Sequence, residues 1–388
     1  MTCLVINAGS SSLKVAIFEL HLKELVKTHA GIVDWDQKQT FFSFTSKGEK
    51  QERLVLNKEN KNQNLVLVFR YLKNLFPQID LLGHRIVHGG DLFSEPKQIT
   101  AAVKKQIKSL KSLAPLHNPI ELKCIEITEQ LWKGATQVGV FDTAYFRDLP
   151  KKVLHYPLPY SWANKKIKRY GFHGINHEYC VQQFLKNVKN KSKNIKVICC
   201  HLGNGCSISA NKEKICVDTT MGFTPLEGVM MGTRSGSLDP GILIYLLKNK
   251  IYTLTHLEKI LNHESGIKGA SGISEDMREI LKLRKKNSHA LLAYEMFIDS
   301  ISKGIACMMT SLEGCNGLIF SGGIGENAHQ VRSSIIKKLG YLGFSLDSKK
   351  NTSNKGDIEI SSSKSTTSVW VIHASEEKSI AKKCLKLL

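Results

Sequence analysis

The sequence predicts an α/β protein built as two related domains, and three observations lead there. At 388 residues the chain is longer than the roughly 100–200 residues of one ordinary domain. A strand–turn–strand plan opens the chain and returns near its middle. Amphipathic helical stripes, and a strand running into a glycine-rich segment, fill the intervals.

The elements follow in order. Leu4-Val5-Ile6 is an apolar run, Gly9-Ser10-Ser11-Ser12 is a small-residue turn, and Leu13, Val15 and Ile17 alternate with other residues. That alternation has the period of a strand. The second copy is Val197-Ile198-Cys199-Cys200, then His201-Leu202-Gly203-Asn204-Gly205, then Cys206-Ser207-Ile208-Ser209-Ala210. The copies share an order of events rather than identity. Residues 101–113 place Val103, Ile107 and Leu110 on one helix face with lysines opposite. Over 290–312, Leu291, Tyr294, Ile298, Ile301, Ile305, Met308 and Leu312 recur three and four apart. They form the stripe of a long helix, expected in the core first and at a subunit interface second. Leu318-Ile319-Phe320 leads into a glycine turn, Ser321-Gly322-Gly323-Ile324-Gly325-Glu326-Asn327, and Gln330 to Leu339 reads as a helix. Such a turn offers backbone N–H groups to an anion. The Lys- and Asn-rich stretches 186–196 and 347–356 read as exposed connections.

Composition narrows the function. Hydrophobic residues at 42% and charged residues at 23% exclude a fibrous or wholly disordered chain. The net charge of +21 points to an anionic partner: nucleic acid, a membrane surface or a phosphorylated small molecule. Met1 to Asn7 lacks the basic start and long apolar run of a secretory signal. No stretch approaches the ~18 apolar residues that span a bilayer. Ten cysteines without a Cys-x-x-Cys pair read as buried thiols in a reducing cytoplasm.

Five clusters hold more polar function than packing requires. They are Gly83-His84-Arg85-Ile86-Val87-His88-Gly89-Gly90, Ala114-Pro115-Leu116-His117-Asn118-Pro119, Phe141-Asp142-Thr143-Ala144, Arg169-Tyr170-Gly171-Phe172-His173-Gly174, and Met230-Met231-Gly232-Thr233-Arg234-Ser235-Gly236. A single loop histidine or arginine is more often a surface group or a satisfied core hydrogen bonder than a catalyst. As a set they fit one task. Two arginines and a histidine neutralise charge on a transferring phosphoryl group, and the guanidinium fork matches phosphate and carboxylate oxygens. An aspartate, with Asn7 and a C-terminal glutamate, suits magnesium, which takes few protein oxygens beside phosphate and water.

These motifs, in this order, resemble the acetate and propionate kinase family of the sugar kinase, heat-shock cognate and actin superfamily. The resemblance extends over Val5 to Lys14, His201 to Gly205, Thr219 to Gly228, Ser271 to Arg278 and Gly323 to Asn327, essentially the whole chain. It implies a duplicated actin-like (ribonuclease H-like) fold with a hinged nucleotide cleft and a homodimer. The expected domains are 1–145 and 146–376, with a terminal helix of about 377–388 packed back on the first. By resemblance, Asn7 and Glu376 hold magnesium, with manganese as a substitute, and adjacent Glu377 leaves that choice open by one position. Lys14 contacts the nucleotide, Arg85 binds the carboxylate, Asp142 is the catalytic aspartate, and His173 and Arg234 stabilise the transition state, with His117 on the phosphate side. His201, Leu202, Gly203, Asn204 and Gly205 meet the phosphates of ATP. Asp276, Met277 and Arg278 line the adenosine pocket, and Gly323, Ile324, Gly325, Glu326 and Asn327 lie beside the ribose and α-phosphate. Val87, Leu116, Phe172 and Pro225 surround the acyl methyl. Two departures stand out: Phe146 replaces a histidine, and Ile175-Asn176 replaces Thr-Ser. Neither position is assigned to chemistry.

The implied reaction is reversible phosphoryl transfer between ATP and acetate, giving ADP and acetyl phosphate. Propionate is the alternative acceptor, since one methylene in an apolar pocket is worth only ~1–3 kcal/mol. A nucleic-acid binder lacks a recognised module here, and the aromatics do not interleave with the basic runs. An actin-like polymer former needs no carboxylate clamp. Neither nucleic acid nor membrane is expected as a partner, and most of the positive charge falls on lysines of polar faces, including 104–111, 282–286 and 349–350.

Overall fold

Strand β1 (Thr2–Ala8) is buried from Cys3 to Ala8, as a near-continuous apolar run demands of a strand covered on both faces. It pairs antiparallel with β2 (Ser12–His21), which continues as a meander through β3 (Glu24–Asp34), β4 (Phe41–Ser46) and β5 (Glu52–Val55). On its other edge β1 is parallel to β6 (Leu81–Ile86). Short β7 (Lys97–Gln98) and β8 (Thr136–Phe141) complete a sheet ordered β5-β4-β3-β2-β1-β6-β8-β7. The computed structural model describes all residues except 10, 11, 23, 36–38, 47–51, 58, 59, 116, 189–193, 354 and 355. Ser10, Ser11, Leu116 and parts of 186–196 and 347–356 therefore lie outside the described residues.

A second sheet repeats the plan. It contains β9 (Lys196–Leu202), β10 (Cys206–Lys212), β11 (Ile215–Thr219), β12 (Gly317–Ser321), β13 (Ile358–Glu359) and β14 (Ser368–Val371), ordered β11-β10-β9-β12-β14-β13. The series β3-β2-β1-β6-β8 and β11-β10-β9-β12-β14 match strand for strand: an antiparallel meander, then two parallel additions. By contacts the chain divides into residues 1–147 with 375–388, and residues 148–374.

In the first unit, Leu4 and Ile6 pack with Leu65, Val68, Phe69, Cys124 and Ile127 of helices Lys61–Leu75 and Asn118–Leu131. The alternate residue Val5 faces the other side, as strand period requires. There the terminal helix Glu376–Leu385 lies on β1 and β6. It approaches so closely that a Cβ on Gly83 would stand 2.9 Å from both Cys384 Sγ and Ile380 Cγ2. In the second unit, Cys180, Val181 and Phe184 of helix Gly174–Asn187 cover Val197, Cys199 and Ile319, while helix Ser288–Leu312 packs against β10.

Two expectations change. The stripe of the long helix holds from Tyr294 to Leu312, but Leu291 is exposed, and the buried face there runs through Ala290 and Ala293. Small alanines carry a packing face that an apolar pattern underweights. The glycine segment after β12 is not a turn but a short helix, Gly322–Asn327, followed by helix His329–Lys338. Only Gly322 takes a left-handed φ, +80°, and a Cβ there would press on Leu202 O. No helix among the described residues is long and apolar enough to cross a membrane.

Candidate active site

Candidate side chains of the first unit lie at the C-terminal ends of its parallel strands, where open α/β sheets gather ligands. Asn7 stands near the end of β1, Arg85 near the end of β6 and Asp142 just past β8. Arg85 donates from Nε and Nη2 to Asp142 Oδ2 at 3.0 and 2.6 Å, and from Nη1 to Asn7 Oδ1 at 3.0 Å. Asn7 Nδ2 in turn donates to Glu376 Oε2 at 2.8 Å. Glu376 thus joins the cluster because its helix is seated on Gly83. Asp142 is fully buried, so its contact with Arg85 is charge-assisted and strong. Burial pulls the Arg85 guanidinium down, but Asp142 and then Glu376 more than reverse this and hold it firmly charged.

A guanidinium has five N–H donors, and Arg85 spends three of them on Asp142 and Asn7. One hydrogen remains on each terminal nitrogen, a pair suited to a carboxylate or phosphate edge. Lys14 is the register partner of Asn7, so both side chains share one sheet face, and Lys14 is exposed. His117 is half-buried at the start of helix Asn118–Leu131 and makes no side-chain cap bond. Val87 is buried.

Glu121 was not singled out from the sequence, yet it sits at the centre of this region. It is fully buried, and both its oxygens accept from the Val87 N–H, at 3.1 and 3.3 Å. Burial pushes its carboxyl up to about 8, with Arg85 and the Val87 N–H acting in the opposite direction. The signal available was an acid in phase with Cys124, Ile125 and Thr128 on the buried face of a helix. The other polar members of the 83–90 cluster serve structure: buried His84 bonds Gln137 at 2.7 Å, and His88 Nδ1 accepts from Gly90 N–H at 3.0 Å. Desolvation lowers both histidines to about 4 and keeps them neutral.

The second unit assembles a different set. The turn 203–205 joins β9 to β10, and Asn204 O accepts from Gly232 N–H at 2.9 Å. A Cβ on Gly232 would overlap Asn204 Oδ1, so glycine there lets the loop bearing Arg234 settle on the turn. His173 holds a left-handed conformation, φ 58°, at the start of its helix, a strain that costs a non-glycine residue of order 1–3 kcal/mol. It aims the ring across Gly205: a Cβ at Gly205 would lie 3.2 Å from His173 Nε2 and 3.5 Å from Arg234 Nη1. His201 packs on His173 with ring centroids 4.3 Å apart. Phe172 is buried and Pro225, whose carbonyl accepts from Arg234 Nη1 at 3.4 Å, is half-buried.

Asn176, one of the two family departures, has more than a packing role. Its side-chain amide lies 2.7 Å from His201 Nδ1 and donates to Ser321 Oγ at 3.2 Å. Phe146 and Ile175 are buried apolar groups. Along Gly323, Ile324, Gly325, Glu326 and Asn327, the Glu326 carboxylate accepts from Gly322 N–H and Ala374 N–H, each at 2.8 Å. The first N–H of this short helix is therefore capped internally. Buried Arg332 donates to Gly325 O and Glu326 O at 2.8 Å, fixing the segment from beneath. Asp276 caps helix Met277–Leu283 and pairs with exposed Arg278, while Met277 is buried.

A family model described as the Acetokinase family matches residues 2–382. The chain belongs to that family. It is 45% identical to the acetate kinase of Protochlamydia amoebophila (strain UWE25) over 397 residues, covering 99% of each chain. Among solved structures it is similar to a propionate kinase from Francisella tularensis subsp. tularensis SCHU S4, with TM-score 0.91, 36% identity and 100% of both chains covered. It is also similar to Porphyromonas gingivalis acetate kinase, with TM-score 0.88 and 34% identity, covering 100% of this chain and 99% of that one. The fold is accordingly the α/β fold of these kinases, and the repeated strand order is its duplication.

Proposed function

We infer that this chain catalyses reversible transfer of the γ-phosphoryl group of ATP to acetate, giving ADP and acetyl phosphate. The observation that carries the reading is the charged Arg85, clamped by Asp142 and Asn7 with two hydrogens to spare. Those two hydrogens receive the acetate carboxylate. A carboxylate oxygen then attacks the γ-phosphorus in line as the bond to the ADP oxygen breaks, and no covalent enzyme intermediate is needed. Asp142, held by two of the Arg85 donors, fixes the direction of the clamp. Arg234 and His173, brought together over Gly205, brace the equatorial oxygens, where preorganised donors lower the barrier most.

Magnesium would be held by the Glu376 carboxylate, whose Oε2 here accepts from Asn7 Nδ2, and by the Asn7 amide oxygen, which here accepts from Arg85 Nη1; such sparse protein ligation is what magnesium accepts beside phosphate and water. When bound it supplies charge neutralisation on the phosphates, and manganese could replace it. Lys14, His201 to Gly205, Asp276 to Arg278 and Gly323 to Asn327 are assigned to the nucleotide, and His117 to the phosphate side of the reaction. Val87, Phe172 and Pro225 are assigned to the acyl group, with Leu116, which lies outside the described residues. A cytoplasmic homodimer completes the reading. Supporting it are ten free cysteines and helix Pro240–Lys248, none of whose residues is buried although Ile242, Ile244, Tyr245 and Leu247 are apolar.

The test is ADP formation dependent on added acid, with the product trapped as a hydroxamate, across acids of increasing length. Acetate is expected to give the highest kcat/KM. No hydroxamate from any short acid would overturn the reading, and a higher kcat/KM for propionate would change the acceptor but not the mechanism.

A further inference from the structure

His173 and His177 lie one turn apart on the same face of their helix, and they share a hydroxyl. Ser207 Oγ is 2.9 Å from His173 Nδ1 and 2.7 Å from His177 Nε2. On the far side of the second ring, His177 Nδ1 is 2.9 Å from Ser209 Oγ, which accepts from Asn211 Nδ2 at 3.0 Å. Ser207, Ser209 and Asn211 alternate along β10 and so line one face of the sheet. All three, with His177, are fully buried.

The chain has a direction. Asn211 Nδ2 also contacts the carbonyls of Val197 and Ser209, at 3.1 and 3.3 Å. Carbonyls only accept, so this nitrogen is the amide donor. Ser209 Oγ therefore receives a hydrogen bond and has its own hydrogen to place, and His177 Nδ1 is the acceptor within reach. Burial and the neighbouring His201 hold His177 well below its ordinary pKa, so the ring is neutral and its single hydrogen falls on Nε2. That hydrogen goes to Ser207. Accepting there, Ser207 has its own hydrogen to place, and His173 Nδ1 is the acceptor within reach; if Ser207 accepted from both rings, its buried hydrogen would have no partner. The reverse polarity would leave the buried hydroxyl hydrogen of Ser209 without an acceptor, which is costly.

We propose that the chain Asn211–Ser209–His177–Ser207 sets the tautomer of His173, leaving Nδ1 as acceptor and keeping the hydrogen on Nε2. This is the edge that faces Gly205 and Arg234. A neutral His173 then presents an N–H donor, rather than a repelling lone pair, to an anionic oxygen. The proposal rests on the assignment of His173 to the phosphoryl group, and makes Ser207, His177, Ser209 and Asn211 positioning residues.

Nitrogen-15 labelling of histidine in the full-length protein, with two-bond proton–nitrogen correlation, reads each ring tautomer at neutral pH without substrate. Rings are assigned from spectra of His173→Gln and His177→Gln. The expected result is the Nε2–H form for both rings; an Nδ1–H form at either ring overturns the proposal. Ser209→Ala removes the hydrogen that sets the polarity, and should bring the Nδ1–H form of His173 into view. It should also lower kcat by ~10–100-fold, the range seen when a partner fixing the tautomer of a metal-ligating histidine is lost, with KM for ATP and acid unchanged and Ser209→Thr restoring both signals. An unaltered His173 spectrum in a folded Ser209→Ala protein would sink the idea. Because the spectra need no turnover, a protein inactive on every acid yet showing Nε2–H at His173 refutes the reaction and not the chain.

Discussion

Replacing Glu121 by glutamine tests the electrostatics beneath the carboxylate clamp. Burial raises this carboxyl from an ordinary 4.5 to about 8, against the pull of Arg85. The folded protein thus keeps a proton that the unfolded chain releases between those values. The sign follows: the stability linked to this proton is fully present below about 4.5 and is lost as pH rises through about 8. At about 1.4 kcal/mol for each pH unit of the gap, the whole effect is on the order of 4–5 kcal/mol. Glutamine keeps an oxygen for the Val87 N–H and does not titrate. Unfolding in urea, followed by circular dichroism at steps from pH 5 to 8.5, should show wild type losing ~3–5 kcal/mol relative to Glu121→Gln across the window. Any constant cost of placing the extra amide hydrogens leaves that slope untouched. A wild-type minus variant difference flat to within ~1 kcal/mol would mean that Glu121 is ionised in the fold and paired with Arg85, and the reasoning would be wrong.

Three further outcomes are expected. Arg234→Ala should lower kcat by ~10²–10³ with nucleotide affinity close to wild type, measured by steady-state kinetics and calorimetry, because its donors act on charge that develops in the transition state. Gly83→Ala places a Cβ 2.9 Å from Cys384 and Ile380. Overpacking of this kind costs ~1–3 kcal/mol, so Tm should fall, and magnesium affinity with it as the terminal helix carrying Glu376 shifts. Ile244→Glu, on the exposed apolar helix, should give monomers in sedimentation velocity if that face joins two copies; an unchanged dimer would place the interface elsewhere.

Much of the proposed catalytic set was legible along the chain because phosphoryl transfer needs particular donors in particular places. Arg85, Asp142, His173 and Arg234 each stand beside small or turn-forming residues that announce a loop with a purpose. The strand plan around residues 197–210 was readable for the same local reason, since hairpins are written in short-range alternation. Glu121 was harder to see, because an acid in a helix looks solvated until the sheet closes over it. Gly83 gave no signal of its own, as its value lies in a helix arriving from almost three hundred residues downstream. Asn176 looked like a neutral departure and proved to be bonded to His201.

The sequence by itself determined the class of chemistry, the duplicated α/β plan and the residues proposed to meet phosphate, magnesium and a carboxylate, because these depend on residue type and short-range pattern. Only the tertiary structure decided which groups share hydrogen bonds. The Glu376–Asn7–Arg85–Asp142 chain and the His173–Ser207–His177–Ser209 chain each join elements far apart in sequence. The charge state of a buried group and the direction of a hydrogen bond are set by neighbours in space, and those neighbours exist only once the sheets have formed.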